Sequence, residues 1–246
     1  MILRRITEHV KAQNWFAVGL DFFIVIAGIL IAFQITNWND ARQDRKAYAE
    51  AHDRLVEEAR RNIAYTNHLL ETITPYVSSV EKTIEDLRNC RDDADARDRM
   101  AVSLDYIGTT FAPQLETSAA TLFNSSERLL EQQPSTDRQR YAEYARRLIT
   151  FSDFAFQWQK TMEADYDDSH PFLDYATTPQ SDLQSGIGSG TKPLVLATSM
   201  SEACTDVAFR KIFNRWENGT NYQVSLMYSF RQYTEDFLAD IGEATP

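Results

Sequence analysis

The sequence predicts an all-α chain in which one N-terminal transmembrane helix continues into a helical-bundle domain. Three observations predict it. The stretch from Phe16 to Ile35 is apolar apart from Asp21 and Gln34. Gly and Pro are scarce, at 8 and 7 of 246 residues, whereas the helix formers Ala, Leu, Glu, Arg and Gln are plentiful. Beyond the apolar stretch, apolar residues recur at steps of three, four or seven, the spacing of helices with one buried face.

Residues 1–14 form a short tail. Ile2, Leu3, Ile6 and Val10 fall on one helical face and Arg4, Arg5, Glu8 and Lys11 elsewhere, the pattern of an amphipathic helix lying on a membrane surface. Residues 15–38 read as a signal anchor. At a rise of 1.5 Å per residue, about 20 residues cross the ~30 Å hydrocarbon layer. Trp15 and Trp38 bracket the run as interface anchors. The run is longer than a usual signal-peptide core, and Gln34-Ile35-Thr36-Asn37-Trp38 offers no small-x-small cleavage pattern. Around the helix axis, Ala17, Asp21, Gly28, Ala32 and Asn39 fall within about 40° of one line. Gly28 and Ala32 make a small-x-x-x-small pair, which lets backbones approach closely. Asp21 is costly in lipid and is expected to face a partner, water or the interface. This face is expected to meet a second copy or another membrane protein.

Residues 39–246 form the large domain. Tyr48, Leu55, Ala59, Ile63, Leu70 and Ile73 carry the helical period out of the membrane, with Asp44, Arg45, Lys46, Glu57, Glu58, Arg60 and Arg61 filling the solvent side. Pro75 is expected to break or kink this helix near Thr74. Val77, Val80, Ile84 and Leu87 resume the period up to Cys90; Arg91 to Arg99 reads as a turn and Met100 to Ile107 as a short helix. Thr117 to Gln132 is read as helical with Leu122, Leu129 and Leu130 inward. Pro134-Ser135-Thr136-Asp137 marks a turn before a helix from Arg138 to about Ala164, whose stripe of Tyr141, Tyr144, Leu148, Phe151, Phe154 and Trp158 is read as core. Residues 165–198, with Pro171, Pro179, Pro193 and several glycines, read as a long irregular loop. Asp206 to Trp216 is a short helix, Asn218-Gly219 a turn, and Asn221 to Ile241 the closing helix, with Val224, Met227, Phe230, Tyr233 and Phe237 or Leu238 inward.

The net charge of -11 argues against nucleic acid as a partner, because a phosphate backbone requires clustered Lys and Arg. Charge does not orient the span: Arg4, Arg5 and Lys11 on one side face Arg42, Arg45 and Lys46 on the other. The short tail and the two cysteines of the large domain favour a cytoplasmic N-terminus. Cys90 and Cys204 read either as a disulfide in an exported domain or as two buried thiols.

Candidate chemistry is thin. Ser79-Val80-Glu81-Lys82 has the S-x-x-K spacing of serine acyl-transferases but lacks their companion segments. Gly186-Ile187-Gly188-Ser189-Gly190-Thr191-Lys192 has the wrong spacing for a phosphate-cradling loop. Asp165, Asp167, Asp168 and Asp174 gather around His170, yet the calcium-loop glycine and closing Glu are missing. His9, His52, His68 and His170 are scattered. No catalytic residue, metal or cofactor is expected from these patterns.

The segment from Ile24 to Asn39, with its Gly-Ile-Leu-Ile and Gln34-Ile35-Thr36-Asn37-Trp38-Asn39 runs, resembles the DUF6090-like family of bacterial single-pass membrane proteins. Arg4-Arg5, Glu8-His9-Val10 and Gln13-Asn14-Trp15 are similar to the tail of its members. The resemblance covers residues 1–45; farther on, Ser125-Ser126 stands where relatives often carry Ser-Gly. The resemblance implies a bacterial inner membrane and a helical periplasmic domain, and implies no activity.

Together these readings lead to the expectation of a non-enzymatic accessory or interaction protein of the inner membrane. Its partners would be the lipid bilayer and, through the transmembrane helix, another membrane protein complex or a second copy. A periplasmic ligand or stress sensor acting through a partner is the alternative, and an envelope enzyme the third reading.

Overall fold

The computed structural model describes residues 15–107, 109–165, 169–176 and 193–243, without the side chains of residues 15–18, Asp21 and Asp165. The tail with Arg4, Arg5 and His9, the residues Asp167 and Asp168, and the glycine run from Gly186 to Gly190 lie outside the described residues.

The elements are α1 (Trp15–Arg88), α2 (Ala94–Ile107), α3 (Ser118–Ser125), α4 (Glu127–Gln132), α5 (Arg138–Asp165), β1 (Leu173–Tyr175), β2 (Leu194–Leu196), α6 (Met200–Ala203) and α7 (Val207–Asp240). The fold is all-α apart from one small hairpin. The 74 residues of α1 run without interruption from the apolar stretch into the heart of the domain. At 1.5 Å per residue this is a rod of roughly 110 Å.

The other long elements align along the upper part of that rod. α2 returns antiparallel to its end, with Thr83 against Ser103, Asp86 against Arg99 and Tyr76 stacked on Tyr106. α7 also runs back along it, from Asn214 beside Arg88 to Arg231 beside Asn67. α5 lies antiparallel to α7, through Trp158 with Tyr222, Phe151 with Phe230 and Tyr144 with Phe237. Two cores stack along α1. The proximal one, nearer the apolar stretch, gathers Leu55, Ala59 and Ile63 with Phe123, Tyr141, Tyr144, Leu148, Phe237 and Leu238. The distal one gathers Leu70, Ile73, Val80 and Leu87 with Met100, Leu104, Phe209, Phe213 and Met227.

Several local expectations are corrected. Pro75 does not end the helix; it lies inside α1. An interior proline costs about 3 kcal/mol, but Ile73 and Val77 on either side are buried and hold the helix in place. Glu71, whose carbonyl loses its partner at Pro75, faces solvent, as does Pro75. The Asn218-Gly219 turn is absent, and α7 passes through both residues. Gly219 serves close approach instead: its carbonyl accepts the Trp158 indole N–H at 3.2 Å, and a Cβ there would overlap Met162.

The turn expected over Arg91 to Arg99 is shorter. α2 begins at Ala94, with the Asp93 carboxylate accepting the Ala96 N–H at 2.8 Å. The helix read over Thr117 to Gln132 breaks at Ser126, whose backbone is extended. The break places Phe123 in the core and leaves Leu122 50% exposed, while Leu129 is buried and Leu130 half-buried. In α5 the stripe leaves the core after Leu148: Phe151 and Trp158 are half-buried and Phe154 is exposed. The stretch read as a loop over 165–198 contains the antiparallel pair β1–β2, with Leu173 opposite Leu196 and Tyr175 opposite Leu194.

Candidate functional site

The apolar part of α1 is the most distinctive surface of the molecule. Among the described residues, α1 is the one helix long and apolar enough to cross a membrane; its apolar window has a mean hydropathy of 1.7 and none of it is buried. Phe22, Phe23, Ile31 and Phe33 are each at least 60% exposed. The domain therefore does not cover this stretch. Gly28 has open space where a Cβ would stand. The Thr36 hydroxyl donates back to the Ala32 carbonyl at 3.1 Å, which satisfies it within its own helix. Trp38 is exposed, with the Arg42 guanidinium 6.0 Å from its ring centroid. Asn39 is exposed one residue farther along. The backbone of Trp15, Ala17 and Asp21 belongs to the same helix, and their side chains lie outside the described residues.

The domain begins close above Trp38. Arg128 of α4 pairs with Asp44, six positions beyond that tryptophan. At a helical rise this is about 9 Å, so a span ending at Trp38 brings the bundle down almost onto the interface.

Inside the proximal core, sequence reasoning missed a polar seam. Glu58, placed on the solvent side by its charge, is 1% exposed. Its carboxylate accepts the Ala119 N–H at 2.6 Å, the Ala120 N–H at 3.0 Å and the Ser118 hydroxyl at 3.2 Å, and so caps α3 from another helix. One turn on, Asn62 exchanges two bonds with the backbone of Glu116, donating at 2.8 Å and accepting at 2.9 Å. Arg61 forks onto the Glu116 carboxylate, its Nη2 at 2.7 Å, and holds that carboxyl below its ordinary range. Tyr144 is fully buried beside the seam, and burial, reinforced by the Glu58 charge, pushes its hydroxyl pKa well up. The spacing of Leu55, Glu58, Asn62 and Thr66 on one face was the available signal.

At the distal end, the structure brings Cys90 and Cys204 together in a disulfide, with Cα atoms 5.2 Å apart and 114 positions between them in the chain. Nearby, Asp86 is buried and receives Arg99 at 2.7 Å and Arg91 at 3.7 Å.

Of the acidic residues read around His170, only Asp174 has a described side chain. Asp174 accepts the neighbouring Tyr175 N–H, and His170 accepts the Phe172 N–H while its Nε2 lies 3.7 Å from Asp206. Among the described residues no group of three or more His, Cys, Asp and Glu side chains is placed to hold a metal. His52 packs among Phe123 and Tyr141, and His68 is exposed. Ser79 and Lys82 lie on α1, Ser79 half-buried and Lys82 exposed.

One apolar groove of about 340 Å³ lies between α2 and β2, lined by Met100, Leu104, Leu194, Leu196 and Met200, with Arg97 and Asp92 at its rim. Arg97 donates to the Asp92 carboxylate at 2.7 Å.

Compared with known proteins, the chain matches no protein-family model, no curated protein and no solved structure.

Proposed function

We propose that the chain is a membrane-anchored, non-enzymatic interaction protein, an auxiliary subunit or scaffold that docks to another membrane protein complex of the bacterial inner membrane. The observation that carries this reading is the uncovered apolar stretch of α1, continuous with the helix on which the domain is built. A soluble bundle would bury such a stretch, and a bilayer with a partner helix covers it. The docking face is the line of Ala17, Asp21, Gly28, Ala32 and Asn39, where small side chains admit a partner backbone and Asp21 finds a polar neighbour. The Cys90–Cys204 disulfide supports an oxidising compartment, hence a periplasmic domain and a cytoplasmic tail.

The test is purification from the native membrane in mild detergent, with native mass measurement of what accompanies the protein. Stoichiometric recovery of another membrane complex, lost in Asp21→Leu or Gly28→Leu, is the expected result. A lone monomer overturns the reading, and a homo-oligomer replaces docking with self-association.

A second reading, a periplasmic ligand sensor acting through a partner helix, is favoured by the apolar groove beside β2, whose size falls within the range of small-molecule sites. A ligand that raises the melting temperature of the full chain, with the effect lost in Leu104→Asp, is the outcome it requires.

A further inference from the structure

One notch at the distal tip of the bundle gathers positive charge in a chain whose net charge is -11. Arg88 ends α1, and Arg210 and Lys211 stand near the start of α7. With Ile84, Leu87, Val207 and Asn214 they line one notch of about 210 Å³. This notch is separate from the apolar face and from the groove beside β2.

Several cations among the described residues are matched. Arg61, Arg97, Arg99, Arg128, Arg146 and Arg147 each meet a carboxylate within 3.2 Å. The three in the notch are not so matched. Arg88 reaches only the Asn214 side-chain oxygen, at 3.4 Å. Among the described residues no carboxylate lies within ion-pair distance of Arg210 or Lys211. The Arg210 Nε is shielded from solvent and has no acceptor among the described residues. A buried donor on a cation without an acceptor is costly, more so than for a neutral group. Glu217 feels the charges of Glu81 and Arg88, and the helix cap Asp206 is engaged with the Phe209 N–H and His170. α7 adds its own positive end here, so cations in its opening turns repel the helix dipole as well as each other.

We propose that this notch is a binding site for a compact oxyanion, a phosphate or small carboxylate group held by Arg88, Arg210 and Lys211 against the apolar edge of Ile84, Leu87 and Val207. An oxyanion supplies the acceptor that the Arg210 Nε lacks and neutralises the three cations that line the notch. The volume suits a single anionic group better than a drug-sized ligand. Lipid headgroups of the protein's own membrane are not the source: 50 helical positions separate Arg88 from Trp38, which is about 75 Å along the rod.

The test uses the full chain in detergent, titrated with inorganic phosphate and with citrate, against sodium chloride at matched ionic strength. The readouts are melting temperature and titration calorimetry. The expected result is saturable binding and a rise in melting temperature with phosphate or citrate that chloride does not reproduce. Arg210→Gln and Lys211→Ala should each weaken the binding by about tenfold. Lys211 is exposed, so its variant keeps the fold intact and the test decisive if Arg210→Gln unfolds. Binding of phosphate but not citrate assigns the site to phosphate groups, and the reverse assigns it to carboxylates. Equal response to chloride, or oxyanion binding that survives Lys211→Ala unchanged, overturns the proposal.

Discussion

The two cores that share α1 are held by different means. The proximal core is aromatic and polar. Phe123, Tyr141, Tyr144 and Phe237 stack around Leu55, and the Glu58–Asn62 seam hydrogen-bonds α1 to the chain that enters α3. The distal core mixes aliphatic side chains with Phe209, Phe213 and Trp216, and is closed by a covalent bond between the end of α1 and the segment before α7. The difference follows from what each core has to join. In the proximal core, α3 to α5 and the end of α7 meet along one helix, and ring stacking with directed hydrogen bonds fixes their angles. At the tip, α2, the hairpin and α6 are short elements that bury little surface each, and a cross-link limits their unfolded freedom.

The largest break in this comparison is removal of the disulfide. Cys90→Ser with Cys204→Ser is expected to cost about 2–5 kcal/mol, the range for a loop of this length. Hydrogen exchange should show the loss concentrated in α2, the hairpin and the start of α7, with α1 residues 51–63 still protected. Uniform loss of protection would mean that the cores do not melt separately.

Next in size is Glu58→Ala, expected to cost about 2–4 kcal/mol, because three donors at the start of α3 lose their acceptor inside the core. Denaturant melts of this variant should retain distal protection, the mirror image of the disulfide variant.

Acid sharpens the contrast further. Glu116, held by Arg61, Glu143, held by Arg146 and Arg147, and Asp206, held by the Phe209 N–H, all have carboxyls below their ordinary values. Groups with depressed folded-state pKa stabilise above their unfolded values and lose that contribution as pH falls through the folded ones. Asp105 and Glu217, raised by burial, act in the opposite sense, favouring the fold at low pH and losing that as pH rises through their folded values. The melting temperature is expected to fall as pH drops below about 4, and Glu116→Gln should flatten the acid slope. An unchanged slope would remove the Arg61–Glu116 fork as a contributor.

The smallest effect is expected at Gly219. Gly219→Ala gains helix propensity worth about 1 kcal/mol but pushes against the flexible end of Met162. The net change should stay within about 1 kcal/mol, whereas Gly219→Val forces Met162 and the Trp158 contact to move and should cost more in thermal melts.

The periodic parts of the chain were legible because helix spacing is a local signal. Leu55, Ala59, Ile63, Leu70 and Ile73, picked out by their helical period, are all buried. The punctuation was less legible. Pro75 and Asn218-Gly219 are strong local breakers, yet each sits where neighbouring packing outweighs local preference, and such packing cannot be read from spacing. Glu58 misled for the same reason: its charge suggests water, and only the fold reveals that the N–H groups of Ala119 and Ala120 arrive opposite it. The apolar stretch was readable because a membrane-length run is a property of consecutive residues. The cations of the distal notch come from two regions more than a hundred positions apart, so no local pattern joins them.

The unbroken course of α1 also sets an azimuth. Counting 100° per residue, Leu55 lies about 180° around the rod from Gly28, while Asp53 and Glu57 lie within about 20° of it. The bundle thus hangs from one side of the rod and the small-residue face looks out from the other. Lys46, Glu50, Asp53 and Glu57 continue that outward line as exposed charges, and Asp53 and Glu57 border the concavity that Ser118, Ala119 and Glu243 of the bundle close. With no loop between Trp15 and Arg88, any turn imposed on the membrane half is a turn of the whole domain.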